Sequence, residues 1–160
     1  MLITTSRKPS RRSRTLGRDL ARVLGGKYIT RGKGNLERIV SLARNAGHTR
    51  VVLIYDIHGN PGKLESIIVE EDSWSWHPLI VNLSGVRLQR EFGRKVLFKD
   101  LTLENKTKHD VTDFFGFIPA EESRNRIVVT EERVTFYVAN KEVGPRLSVK
   151  EWYYASRPKV

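Results

Sequence analysis

Cysteine is absent from the 160-residue sequence, which excludes disulfides, thiolate metal sites and cysteine nucleophiles and fits a reducing cytoplasm. No apolar run approaches the roughly 18–20 residues that a bilayer-spanning helix needs. The opening MLITTSRKPSRRSR lacks the long apolar stretch of a secretory signal, so no cleaved leader is expected. No segment repeats with a period of 20–50 residues, which excludes solenoids and propellers. Hydrophobic residues are not scarce: at 39%, with three Trp, five Tyr and six Phe, they can build a core and exclude global disorder. The length suits one domain or two small, closely packed halves.

Acid is scarce in one place. Residues 1–34 hold ten Lys/Arg against a single acid, Asp19, a net +9 out of +11 for the whole chain. Residues 35–160 hold 19 bases and 17 acids. Charge spread evenly would serve solubility, whereas a concentrated block implies a polyanionic partner.

The pattern of apolar residues predicts β-α-β-α-β-β for the first part of the chain. Strands are expected at 2–5, 27–30, 50–57 and 63–71, and helices at 13–24 and from an Asn35 N-cap to about Gly47, with a turn at 58–62. Glu70-Glu71-Asp72 followed by Trp74 and Trp76 marks a change of register. It divides an N-terminal half, 1–73, from a C-terminal half, 74–155, with a short polar tail at 156–160. Both Trp residues are expected to seal the joint. The second half should contain strands at 78–83, 95–100, 126–130, 133–138 and 146–154, a short helix at 110–117 with buried Phe residues, and a turn at 140–145; 84–94 is ambiguous.

At 100° per residue, Arg11, Arg14, Arg18 and Arg22 fall within an arc of about 80°, and Leu16, Leu20, Val23 and Leu24 lie opposite, within about 100° of one another. One face can dock on a sheet while the other presents guanidiniums, which suit bidentate phosphate contacts and stack on unpaired bases. The preceding loop adds Arg7, Lys8 and Arg12. A merely solvated helix face would mix signs for i,i+4 pairing. A membrane-surface helix would carry Trp or Phe anchors on its apolar side. Arg31-Gly32-Lys33-Gly34 could gather backbone N–H groups on a phosphate, and plain turn chemistry accounts for it as well.

The histidines are scattered without metal-ligand spacing, and no nucleophile elbow or nucleotide-hydrolysis motif is present. No cofactor, membrane or small-molecule substrate is therefore expected. Asp56, Glu70, Glu71 and Asp72 leave a divalent-metal ribonuclease as the competing reading. A protein-binding scaffold without RNA affinity is the third.

Two stretches resemble a known family. Ile3-Thr4-Thr5-Ser6-Arg7-Lys8-Pro9-Ser10, running into the basic helix, is similar to the opening signature of Brix-domain ribosome-biogenesis proteins. Glu142-Val143-Gly144-Pro145-Arg146-Leu147-Ser148-Val149-Lys150 resembles the family's Gly-Pro-Arg strand. The short chain is similar to the stand-alone archaeal form related to Imp-type processing factors. The resemblance implies an α/β fold of two similar halves with mixed sheets, each like the anticodon-binding domain of class II aminoacyl-tRNA synthetases. It implies non-catalytic work in the cytoplasm on precursor ribosomal RNA and guide RNA, beside ribosome-assembly proteins, during rRNA processing and small-subunit assembly. Thr5, Ser6, Arg7, the Arg14/Arg18/Arg22 face and Arg146 match positions that the family associates with RNA. The family's His-Gly-Pro-Thr stretch is reduced here to His77-Pro78.

Overall fold

The computed structural model describes residues 1–157, so the expected tail at 156–160 lies mostly outside the described residues. In chain order the elements are β1 (Leu2–Thr5), α1 (Arg11–Leu24), β2 (Lys27–Tyr28), α2 (Leu36–Asn45), β3 (Arg50–Ile57), β4 (Asn60–Val69), β5 (Trp74–Trp76) and β6 (Leu79–Arg87). A single 3-10 turn, Gln89–Phe92, leads to β7 (Thr102–Asn105), α3 (Val111–Phe115), β8 (Asn125–Val129), β9 (Arg133–Val138), β10 (Lys141–Glu142) and β11 (Arg146–Tyr154). The fold is mixed α/β, with all eleven strands in one sheet. Nine of them run in the order β2-β1-β3-β4-β6-β11-β9-β8-β7, while β5 pairs with β4 and β10 with β9. Pairing is parallel at the two ends, β2-β1-β3 and β8-β7, and antiparallel between them.

Period-two alternation sorts the N-terminal strands onto two helices. Ile3, Val52 and Ile54 face the α1 side, and Leu2, Val51 and Leu53 the α2 side. Beneath α2 lies a small core closed by Ile67, Val69 and Trp74. The larger core lies under α1: Leu16, Leu20 and Val23 join Leu79 and Val81 of β6, Phe98, Phe114 and Phe115 around α3, and Phe136 and Leu147. Residues from both parts of the chain share this second core.

Several expectations need correcting. The helix begins at Arg11, because Ser10 rather than a later residue caps it: its Oγ accepts from Ser13 N–H at 3.1 Å. The β3–β4 turn is only His58-Gly59, both at positive φ (53° and 78°), the conformation a two-residue hairpin favours, so β4 starts at Asn60. Trp74 packs beneath α2 and donates to Glu37 at 3.2 Å, instead of sealing a joint. The strand expected at 95–100 does not form. Phe98 is buried while Leu97 and Lys99 are exposed, so the alternation is real, but Phe98 N–H donates to the Arg22 carbonyl of α1 at 2.9 Å and not to a strand. The strand at 102–105, unexpected from sequence, pairs in parallel with β8.

Leu20 is fully buried in the shared core. Truncating a buried leucine commonly costs about 2–5 kcal/mol. In a chain of this size Leu20→Ala should lower Tm by roughly 5–20 °C, in one transition for the whole protein. Scanning calorimetry that finds the parental Tm would show α1 to be an undocked arm.

Candidate nucleic-acid interface

The N-terminus of α1 is fixed by a carboxylate from the β3–β4 hairpin. Asp56 accepts from Ser10 N–H at 2.6 Å, from Ser10 Oγ at 2.8 Å and from Ser13 Oγ at 2.5 Å. Burial pushes the Asp56 carboxyl upward, but the hydrogen bonds from Ser13 and Ser10, with Arg14 nearby, outweigh it and hold it below the ordinary range. This anchoring also removes Asp56 from any site with Glu70, Glu71 and Asp72. Those acids follow the far end of β4, roughly 25–30 Å along the hairpin from Asp56.

The opposite edge of α1 is clasped by the 89–92 turn. Asp19 is 1% exposed, accepts from Gln89 N–H at 2.9 Å and pairs with Arg22 at 2.8 Å. Burial raises its pKa by more than these partners and Lys95 lower it. Arg12 donates at 2.7 Å to the Val86 carbonyl and at 2.8 Å to Glu91. The Leu88 N–H and Arg12 keep the Glu91 carboxyl below its usual range. The lone acid of the basic block is thus turned inward, while Arg7, Lys8, Arg11, Arg18, Lys27 and Lys33 stay on the outside.

The candidate residues divide into three groups. Arg7, Lys8, Arg11, Arg18 and Lys33 are exposed, and none of them forms an ion pair among the described residues. Arg18 lies over the Tyr28 ring at 5.0 Å, and Arg14 makes only a 3.4 Å contact to the Pro9 carbonyl. Arg12 and Arg22 are half-buried in the clasp. Thr5 and Arg31 are buried: Arg31 donates to the Thr5 carbonyl at 3.1 Å and to the Gly34 carbonyl at 2.9 Å, so it folds the 31–34 loop against the end of β1. Ser6 is half-buried and its N–H donates to Ile54. Loop 6–10, loop 31–34 and α1 therefore form one surface. Arg146 lies across the β6–β11 ladder from Arg87, held bidentately by Glu142 at 2.6 and 2.8 Å.

Sequence reasoning passed over the segment 87–99. It carries Arg87, Arg90, Arg94, Lys95 and Lys99 against one acid, Glu91. Gln89 is tied to Asp19 and Phe98 to Arg22, so these bases run alongside α1 and widen its charged face. Their density was a readable signal, hidden by the expectation of a strand. Also missed was a polar lock around the buried His77. His77 accepts from Leu79 N–H at 3.1 Å through Nδ1, which leaves Nε2–H to donate to Asp113 at 2.9 Å, and Asp113 pairs with Arg50 at 2.6 Å. Together His77, Asp113 and Arg50 join α3 to β3.

No protein-family model matches the chain. Among curated proteins, a "probable Brix domain-containing ribosomal biogenesis protein" of Methanococcus maripaludis is 32% identical over 166 residues, covering 94% of this chain and 95% of the relative. The chain belongs to the Brix-domain family. A Pyrococcus abyssi member is 36% identical over 84% of the chain; the chain spans about half the length of the first Pyrococcus relatives it matches. Among solved structures, a "probable ribosomal biogenesis protein" from Aeropyrum pernix superposes with TM-score 0.73 at 25% identity, covering 99% and 97% of the two chains. An archaeal Imp4-like protein shares the fold, with TM-score 0.72 at 23% identity. The opening signature of the Brix chain is thus the β1–loop–α1 unit, and its Gly-Pro-Arg stretch the entry to β11.

Because the Asp56 pKa is depressed in the fold, its stabilisation is complete above the unfolded value of about 3.9. It is lost as pH falls through the folded value. Asp56→Asn should cost on the order of 1–3 kcal/mol at pH 7, and the gap to the parent should narrow below about pH 4. A gap unchanged between pH 7 and pH 2 in urea melts would contradict the assignment.

Proposed function

We propose that this Brix-domain chain is a non-catalytic ribosome-assembly factor that binds precursor ribosomal RNA in the cytoplasm. The observation that carries the reading is the row of Arg11, the half-buried Arg14 and Arg18 on one face of α1, extended by loops 6–10 and 31–34 and by segment 87–99, with Asp19 turned inward and Glu91 held by Arg12. Such a surface neutralises phosphates on two RNA segments at once, so that they can approach and pair: a chaperone's work, for guide as well as precursor RNA, beside assembly proteins. The names of the archaeal relatives support the ribosomal setting.

The same reading includes two related halves, 1–73 and 74–155, each like the anticodon-binding domain of class II synthetases. In support, the chain order β1-α1-β2-α2-β3-β4 is echoed by β6, the 89–92 turn, β7-α3-β8-β9, with the single turn in the place of α1, although β6 pairs with β4 and β11 and not with β7 or β8. On this view the second half has a reduced helix that packs against the first half's long one. No cluster of three or more His, Cys, Asp or Glu suited to a metal occurs among the described residues. No helix there is long and apolar enough to cross a membrane.

Binding through about six phosphates should make log affinity for single-stranded RNA fall with log salt at a slope near −4. Arg11→Gln/Arg14→Gln/Arg18→Gln, which spares the clasped Arg12 and Arg22, should weaken binding by about ten-fold or more and flatten that slope, with Tm nearly unchanged. Parental affinity in the triple variant would show the face to be misassigned. Labelled structured RNA incubated with excess protein and magnesium or manganese should stay intact; cleavage abolished by Asp72→Asn would establish the nuclease instead.

A further inference from the structure

Beyond the 89–92 turn, the Gly-Pro-Arg stretch builds a second feature. Arg87 and Arg146 face each other across the β6–β11 ladder, and their guanidiniums lie 4.3 and 5.4 Å from the centre of the Phe92 ring. Glu142 fixes Arg146 through both carboxylate oxygens, so Arg146 holds the ring and leaves no net charge of its own to offer. Gly144, at φ 74°, lets the ring press on the backbone: a Cβ there would lie 2.5 Å from Phe92 Cδ2. Phe92, so held, forms one wall of a cavity of about 260 Å³ with Val138, Val143, Arg94, Arg124 and Lys141. Arg94, Arg124 and Lys141 are exposed and form no ion pair among the described residues, while the nearby Glu142 is taken by Arg146. The β9–β10 pairing, with Ala139 N–H on the Arg124 carbonyl at 2.7 Å, keeps the rim in place.

We propose that this cavity takes one unpaired nucleotide of a single-stranded RNA segment, its base against Phe92, Val138 and Val143 and its phosphate among Arg94, Arg124 and Lys141. The cavity lies just under the roughly 300–1,000 Å³ of drug-sized ligand sites, room for a flat ring and not for a large cofactor. Apolar and aromatic walls rimmed by unpaired cations are the chemistry that single-strand sites use for base and backbone. A paired base could not leave its stack to enter without losing its partner. The 89–92 turn carries Phe92 and also clasps α1, so the cavity continues the same basic surface. The inference rests on the RNA-binding reading and adds a specificity to it: α1 reads charge, the cavity reads the absence of pairing.

The test compares the parent with Arg124→Gln/Lys141→Gln and with a control of equal charge change, Lys106→Gln/Lys108→Gln, also exposed. Each is titrated with a single-stranded RNA 12-mer and with a blunt duplex of the same sequence. The cavity variant should lose about ten-fold or more for the single strand. The control should lose much less, and the two should match on the duplex. Equal losses for the single strand in both variants would overturn the cavity while leaving RNA binding intact. A parent that binds neither RNA would overturn the RNA reading and the cavity with it. Free uridine monophosphate, at the oligomer's own nucleotide concentration, should not displace the strand; if it does, the occupant is a free nucleotide and the assignment fails.

Discussion

The clasp of α1 by the 89–92 turn is the contact on which the surface depends. A carboxylate with 1% exposure is stable in its charged form only with partners, and Asp19 has two strong ones, the Gln89 N–H and the Arg22 guanidinium. Removing a partner from a buried pair costs far more than the pair contributes net, so the geometry is specified even if the stabilisation is modest. Because Gln89 also reaches the Val96 and Gly144 carbonyls, at 3.2 and 3.4 Å, the same side chain connects α1, the basic segment and the Gly-Pro-Arg stretch. Two motifs more than 120 residues apart in sequence meet on this one glutamine.

The sheet makes that meeting rigid. Antiparallel β4-β6-β11, with two register shifts between Ser148 and Glu151, connects the strands under α1 to those beside the cavity. Leu16, Leu20 and Val23 sit in a core that also contains Phe98, Phe114, Phe136 and Leu147. Self-repulsion among many cations would favour splaying. It is opposed by this shared core and by acids paired within the surface: Asp19 and Asp56 on α1, Glu91 on Arg12, Glu142 on Arg146. Acids within the surface thus fix bases in place, and the exposed ones are left to counterions or phosphates.

What the sequence shows most clearly is periodicity and charge density. The apolar stripe of α1 and the +9 of the first 34 residues needed no tertiary knowledge, and the Brix signatures lay at both ends of the described core. What it hides is which partner satisfies a polar group. Ser10 and Ser13 are equally good caps on paper, and only the carboxylate of Asp56, 46 residues from Ser10, settles the first turn. Arg31 reads as a phosphate ligand until its guanidinium is found on the Thr5 and Gly34 carbonyls. The alternation at 95–100 resembles a strand because a segment lying on a helix also buries every second residue.

The central claim is that α1 and segment 87–99 form one RNA-facing surface. Ultraviolet crosslinking in native extract, with sequencing of the RNA and mass spectrometry of the attached peptides, tests it most directly. The account predicts precursor ribosomal RNA joined to peptides from both 7–22 and 87–99. Crosslinks confined to other parts of the sheet, or to RNA unrelated to the ribosome, would contradict it.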